Sequence, residues 1–331
     1  MRKVTLFKGD GIGPEICEAV KKVIAALSLD LEFEEFDVGE NEYLRHGAFI
    51  PQAAFDSIER NKIILKAPIT TPIGKGFRSL NVQLREKYDL YANIRPARSL
   101  PNIQTPFENI NMVIFRENTE DLYVGKEEKI DEDTIHATKI ITRKCSTRII
   151  RAAFEYAKAH DRKKVSCVHK ANILKMSDGL FLSIFNEISK EYPEIEADSY
   201  IVDNACMQMV MHPEKFDVMV MPNLYGDILS DLASGLIGGL GFLPSANLGE
   251  EIAMFEAVHG SAPDIAHKNI ANPTALLLSA CLMLEHIEEY EAAEKIRRAI
   301  DAVLKEGKVR TPDCGGTSTT QEYTDAILAH L

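Results

Sequence analysis

Short apolar runs alternate with longer amphipathic stretches along most of the chain. VTLF (4–7), IIL (63–65), MVIF (112–115), VSCV (165–168) and VMVM (218–221) have the length and side-chain character of buried strands. Between such runs, PEICEAVKKVIAAL and TRIIRAAFEYAKAH place apolar residues three and four apart, the spacing of one helix face. Strands alternating with helices predict an α/β protein with much parallel sheet. RPARSLPNIQTP, with prolines at 96, 101 and 106, interrupts both periods and predicts a crossing between two domains. PSANLGEE (244–251) predicts a second crossing. The segment KIDEDTIHATKIITRK (129–144) suits an antiparallel strand pair, either an arm to another subunit or a plain edge hairpin.

At 331 residues, 45% hydrophobic and 27% charged, the chain can bury a core large enough for two domains. Its net charge of −12 argues against a broad nucleic-acid surface, which depends on Lys and Arg contacts to phosphate, so any anion site must be local. Only four apolar-run residues precede Lys8, and no later stretch approaches the ~18 apolar residues of a membrane span. No membrane association is expected, and the expected location is the cytoplasm. Cysteines 17, 145, 167, 206, 281 and 314 form no CxxC pair and mostly sit in apolar runs, which predicts buried reduced thiols.

Two glycine clusters come close to the dinucleotide fingerprint but miss it. KGDGIGPE has Pro14 three residues after Gly11, and GGLGFLP has Pro244 three after Gly241, where a third glycine is required. A standard Rossmann site is therefore rejected, while a tight turn close to a ligand survives in both places.

Candidate chemistry lies elsewhere. In APITTPIGKGFRSLNVQLREKYDLYANIRPARS, Thr70, Thr71, Ser79 and Asn81 offer hydroxyl and amide groups near a helix start, where carboxylates are favoured. Arg85, Arg95 and Arg116 add fork-shaped donors for several carboxylates. Singly, each arginine reads as a surface charge and Ser79 as a helix cap; together, in a chain of charge −12, they predict a polyanion site. In FDVMVMPNLYGDILSD, Asp227 and Asp231 stand one helical turn apart on one face, either a solvated face or a pair awaiting a hard cation such as Mg²⁺ or Mn²⁺. Asp203, after another strand, is a candidate third ligand. Lys170 and Tyr123 are candidate proton carriers, and His169 reads as a packed neighbour, since such a cation prefers oxygen. EAVHGSAPDIAHKNIANPTALLLSA could wrap a flat aromatic ligand or simply turn before a core helix; Asp264 in it could accept a ribose diol and repel a phosphate.

Assembled in order, KGDGIGPE, SLNVQLRE, RENTEDLY, VHKANILKMSDG, MPNLYGDILSD and HGSAPDIA resemble the isocitrate and isopropylmalate dehydrogenase family of β-decarboxylating dehydrogenases over essentially the whole chain. The nearest branch is similar to the NAD-linked isocitrate dehydrogenases. The resemblance implies a two-domain α/β fold distinct from the Rossmann fold, with a large cofactor-binding domain from 1–95 plus 252–331. The small domain, 96–251, would carry the dimer interface, the arm and the metal ligands. It further implies that Thr71, Ser79, Asn81, Arg85, Arg95 and Arg116 bind isocitrate, with Asp227 and Asp231 holding Mg²⁺ or Mn²⁺. Asp203 and Lys170 would come from the partner subunit of a homodimer or higher homo-oligomer with shared sites. Lys170 would relay the hydroxyl proton and Tyr123 protonate the enolate. His259, Gly260, Ser261, Ala262, Asp264, Ile265 and Asn272 would contact NAD.

NADP-using relatives carry Lys and Tyr where this chain has Asp264 and Ile265, and Tyr and Arg where it has Pro312 and Gly316, which implies NAD. Homoisocitrate dehydrogenase is the alternative within enzymes, followed by isopropylmalate dehydrogenase, whose branch places apolar residues near the helix that here carries Ser79 and Asn81. A non-catalytic regulatory subunit is the alternative outside them. The presence of the lysine, the tyrosine and the metal carboxylates speaks against it.

Overall fold

The structure is a computed structural model and describes residues 1–70 and 79–331. The strands are β1 (Arg2–Phe7), β2 (Leu31–Phe36), β3 (Ile63–Lys66), β4 (Ala92–Arg98), β5 (Asn111–Glu117), β6 (Glu127–Lys129), β7 (Ile135–Ala137), β8 (Lys164–His169), β9 (Glu196–Ile201), β10 (Val218–Met221), β11 (Pro244–Leu248) and β12 (Ala253–Ala257). Ten of them make one sheet in the order β2-β1-β3-β12-β11-β4-β5-β10-β8-β9, and β6 and β7 form a separate hairpin. The sets β2-β1-β3-β12 and β5-β10-β8-β9 are each parallel. Three antiparallel joins, β12 to β11, β11 to β4 and β4 to β5, connect them, so the two parallel sets run in opposite directions. The fold is α/β, as expected.

Local sequence explains the elements. VMVM in β10 is buried at every position, as a strand flanked by neighbours and covered by helices must be. The helix Arg143–Ala159 begins where the Thr142 side chain accepts the Cys145 N–H, filling one orphan donor of the first turn. Its buried residues Ile149, Ile150, Ala153, Phe154 and Ala157 fall on one stripe against β5, β8 and β10. Phe154 is fully buried there, and truncating it to Ala would cost about 3–5 kcal/mol through lost burial and a cavity.

Each segment expected to be a crossing begins in a strand. RPAR continues β4, and PSANL is β11. Pro96 lies beyond Ile94, the last β4 residue paired with β11, so its missing N–H breaks no rung to that strand. These two strands look irregular in sequence because their faces differ. Asn93 and Arg95 lie on one face beside Ser245 and Asn247, with Asn93 Nδ2 donating to Ser245 Oγ at 2.7 Å. Ile94 and Pro96 lie on the other with Ala246 and Leu248, which line a different cavity. The polar face carries the candidate site.

The expected hairpin is present, though its strands are shorter than the 129–144 segment and residues 143–144 already belong to a helix. Both its strands are fully exposed. All six cysteines are free, and no helix among the described residues is long and apolar enough to cross a membrane.

Candidate active site

A cleft opens where the helix Leu80–Lys87, the strands β4 and β5, the helix Asn223–Leu236 and the loop after β12 converge. Ser79, Asn81, Arg85, Arg95, Arg116, Tyr123, Asp227 and Asp231 all line it. Eight of the residues singled out by sequence, separated by up to half the chain, are thus brought together. Ser79 occupies the N-cap of its helix, yet its side chain makes no capping bond, so the cap reading does not account for its hydroxyl. Thr71 lies outside the described residues.

The three arginines are buried, with Arg85 6%, Arg95 4% and Arg116 1% exposed. Arg116 Nε donates to Asn223 Oδ1 at 2.9 Å and Arg116 Nη1 to Asp227 Oδ1 at 2.6 Å. Arg95 Nη1 donates to Ser230 Oγ at 2.5 Å and stands 3.8 Å from Asp227 and 3.9 Å from Asp231. Burial, then Arg116 and Arg85, push the Arg95 guanidinium down to about 9, which leaves it charged at neutral pH. Arg85 Nε, Arg95 Nε and Arg116 Nη2 are buried with no hydrogen-bond partner among the described residues. Buried donors on charged groups are costly to leave unmade, so this set is built for an anionic ligand with several acceptors.

The acid pair is asymmetric. Burial raises the Asp227 carboxyl, but Arg116, the Tyr123 hydroxyl and Arg95 outweigh it and hold the group below its usual range. Asp231 goes the other way: burial pushes it up, and the charge on Asp227 adds to that against the pull of Arg95. A cation between the two would offset both the burial of Asp231 and its repulsion by Asp227. Tyr123 OH donates to Asp227 Oδ2 at 2.5 Å, and burial, then that bond, push the phenol up, keeping it a proton donor at neutral pH.

Lys170 and Asp203 are not in this cleft. Lys170 follows β8, Asp203 opens the helix Val202–Met211 after β9, and Lys170 Nζ reaches Asp203 Oδ1 at 2.7 Å. Among the described residues, no group of three His, Cys, Asp or Glu side chains could hold a metal within this one chain. Asp227 and Asp231 fit a hard cation as two oxygen ligands, and the set is incomplete without a further ligand from outside the chain.

A second, more apolar cleft shares His259 and Gly260 with the first, so the two are continuous. Ile12, Gly241, Ala262, Ile265, Ile270, Asn272, Pro312 and Asp313 complete it. Ser261 is buried beneath, its hydroxyl 2.7 Å from that of Thr70 and its carbonyl accepting the Ile12 N–H at 2.9 Å. Gly11, at φ 57°, would place a Cβ 1.9 Å from that same carbonyl, so only glycine lets the first turn approach this loop. Both glycine clusters rejected as Rossmann sites thus border the cleft, through Ile12 and Gly241. Asp264 is exposed and does not line it.

Three charged lining residues escaped the sequence reading. Lys66 is buried at the end of β3 and pairs with Glu256 at 2.7 Å. Glu256, on β12, also meets Arg85 at 3.1 Å and Asn247 at 2.9 Å; burial raises its carboxyl, but Lys66 and then Arg85 hold it far below the usual range. Asp313 lies in the turn Pro312–Cys314 and accepts the Asn272 amide at 2.9 Å, which puts a carboxylate on the wall of the second cleft. A charged residue within an apolar strand was the one available signal for Lys66 and Glu256.

Residues 3–327 match the protein family described as Isocitrate/isopropylmalate dehydrogenase. The chain is 52% identical to isocitrate dehydrogenase [NAD] catalytic subunit 5, mitochondrial, of Arabidopsis thaliana, over 99% of this chain and 88% of that protein. It is 51% identical to the chloroplastic 3-isopropylmalate dehydrogenase of Solanum tuberosum, over 93% of this chain and 86% of that one. Among solved structures, isocitrate dehydrogenase from Methylococcus capsulatus superposes with a TM-score of 0.96 at 51% identity, covering 100% of this chain and 99% of that one.

Proposed function

Because the chain belongs to the isocitrate/isopropylmalate dehydrogenase family, we propose that it is an NAD-dependent isocitrate dehydrogenase, oxidising and decarboxylating isocitrate to 2-oxoglutarate and carbon dioxide. One observation carries the choice of substrate: three buried arginines with unpaired N–H groups stand in one cleft with Ser79 and Asn81. A tricarboxylate offers an acceptor group to each of the three arginines, whereas isopropylmalate carries only two carboxylates.

In this reading Arg85, Arg95 and Arg116 hold the substrate carboxylates, Ser79 and Asn81 complete their hydrogen bonds, and the resemblance adds Thr71, which lies outside the described residues. Asp227 and Asp231, with Asp203 of a second copy, hold Mg²⁺ or Mn²⁺. His259, Gly260, Ser261, Ala262, Ile265 and Asn272 hold NAD, and the resemblance adds Asp264, which is exposed and outside the cleft lining. Bound NAD⁺ supplies the hydride acceptor and the bound metal ion a Lewis acid. Lys170 of a second copy takes the C2 hydroxyl proton. Tyr123, kept protonated by its burial, delivers a proton to the carbon that has lost carbon dioxide. The working unit is therefore at least a homodimer, which agrees with the separation of Lys170 and Asp203 from the cleft of their own chain.

Homoisocitrate is the second reading, because Ile69 and Val82 on the same wall give apolar room for one more methylene. The purified single chain, given isocitrate, NAD⁺ and Mg²⁺, is expected to form NADH and 2-oxoglutarate in equal amounts. Absence of turnover by the chain alone, with activity only when a paralogous subunit is added, would point to a regulatory subunit instead.

A further inference from the structure

Behind the candidate site lies a buried charge cluster that the proposed chemistry does not use. Asp178 and Asp121 are both 0% exposed. Lys139 Nζ sits 2.7 Å from Asp178 Oδ1 and 3.7 Å from Asp121 Oδ1, over the ring of Tyr225 at 4.4 Å. The other oxygen of Asp178 accepts two bonds, from Tyr225 OH at 2.9 Å and from the backbone N–H of Lys170 at 2.7 Å. The other oxygen of Asp121 accepts the Leu224 N–H at 2.9 Å, in the first turn of the helix that carries Asp227 and Asp231. Asp121 is also two residues before Tyr123. Lys139 itself is two residues past the end of β7, where the exposed hairpin rejoins the body through the bridge from Asp121 to Ile140.

We propose that Lys139 and Asp178 are positioning residues, which tie the root of the hairpin to the main chain of Lys170. This rests on the reading of Lys170 as the group that takes the hydroxyl proton. A buried carboxylate without a counter-charge is strongly disfavoured, so Asp178 keeps its place only while Lys139 is there. Asp178 in turn fixes the backbone at residue 170, from which the lysine side chain must reach another chain's substrate. A hairpin lifted from its seat draws Lys139 away, and the consequence arrives at Lys170 without any contact between hairpin and substrate.

The test is steady-state kinetics of the full-length protein with isocitrate, NAD⁺ and Mg²⁺. Lys139→Met is expected to lower kcat about tenfold to hundredfold, since small misplacements of a reacting group cost that much, with KM for isocitrate and NAD⁺ changed less than about twofold. Lys139→Arg, which keeps the charge, is expected to restore most of kcat. Should the methionine variant not fold, Lys139→Gln is compared with Lys139→Arg by the same constants. A fall in melting temperature with kcat unchanged, or no rescue by arginine, overturns the proposal. Lys170→Met serves as the control: full activity in it would sink the reading of Lys170 itself, whereas an inactive Lys170→Met beside a fully active Lys139→Met sinks the positioning role alone.

Discussion

Arg116 and Asp227 form a 2.6 Å ion pair in which the arginine is almost wholly buried and the acid remains open to the cleft. The Tyr123 hydroxyl holds the other acid oxygen at 2.5 Å, so the carboxylate is fixed from both sides. A ligand group fixed in this way loses little freedom when a cation or substrate arrives.

Asp227→Asn removes one of the two carboxylates that the described residues bring to the proposed metal site, and is expected to abolish Mn²⁺-supported turnover while the circular dichroism spectrum stays that of the parent. Lys170→Met is expected to be inactive too. Mixed and re-equilibrated in equal amounts, the two inactive proteins should regain about a quarter of parental activity. Half of the dimers are then mixed, and each mixed dimer has one intact shared site out of two. A mixture as dead as its components would show that each chain works with its own Lys170.

Cofactor choice can be probed at the second cleft. Replacing Asp264 and Ile265 with Lys and Tyr is expected to shift the ratio of kcat/KM values toward NADP⁺, because it removes a carboxylate near the adenosine end and adds phosphate donors. The switch should be partial. Asp313 still presents a carboxylate to that cleft. Gly316 cannot accept arginine without rearrangement, since a Cβ there would stand 2.1 Å from the Arg310 carbonyl oxygen. Adding Asp313→Asn should move the ratio further; a ratio that does not respond to either change would place the adenosine elsewhere.

Glu34 gives a prediction about acid stability. Its carboxylate accepts Ser57 Oγ at 2.7 Å, Arg60 at 2.9 Å and Asn61 at 3.1 Å, and pairs with Lys3 at 3.1 Å. Those bonds, Ser57 first, lower it from 4.5 to about 2. A depressed carboxylate stabilises the fold above its unfolded value and ceases to do so as pH falls from about 4.5 towards about 2. Glu34→Gln should therefore be less stable than the parent at pH 7, with the gap narrowing as pH falls through that window. Melting temperatures at pH 7, 4 and 3 check this, and a gap independent of pH would contradict it.

The sequence was most legible where a single physical demand governs a segment. VMVM and VSCV read as buried strands because both their faces are covered, and Asp227 with Asp231 read as a pair because one helical turn separates them. β4 and β11 did not, because one face of each is polar: Asn93, Ser245 and Asn247 are buried in a hydrogen-bonded set beside Arg95, which lines the cleft, and this erases the apolar run. Lys66 and Glu256 were invisible for a related reason: each is unremarkable alone, and only the β3 to β12 pairing makes them a buried ion pair. Asp264 stands out because it sits in a recognisable motif, whereas Asp313 lies in none and only the folding of the chain brings it to the cleft wall.

The reaction itself is decided by kcat/KM of the purified chain for isocitrate, homoisocitrate and isopropylmalate, each with NAD⁺ and with NADP⁺, at saturating Mg²⁺ or Mn²⁺. Isocitrate with NAD⁺ is expected to rank first, with homoisocitrate behind it and isopropylmalate last. A first place for isopropylmalate would mean that the unpaired arginine donors and Ser79 do not set the substrate, and a first place for NADP⁺ would contradict the reading of the second cleft.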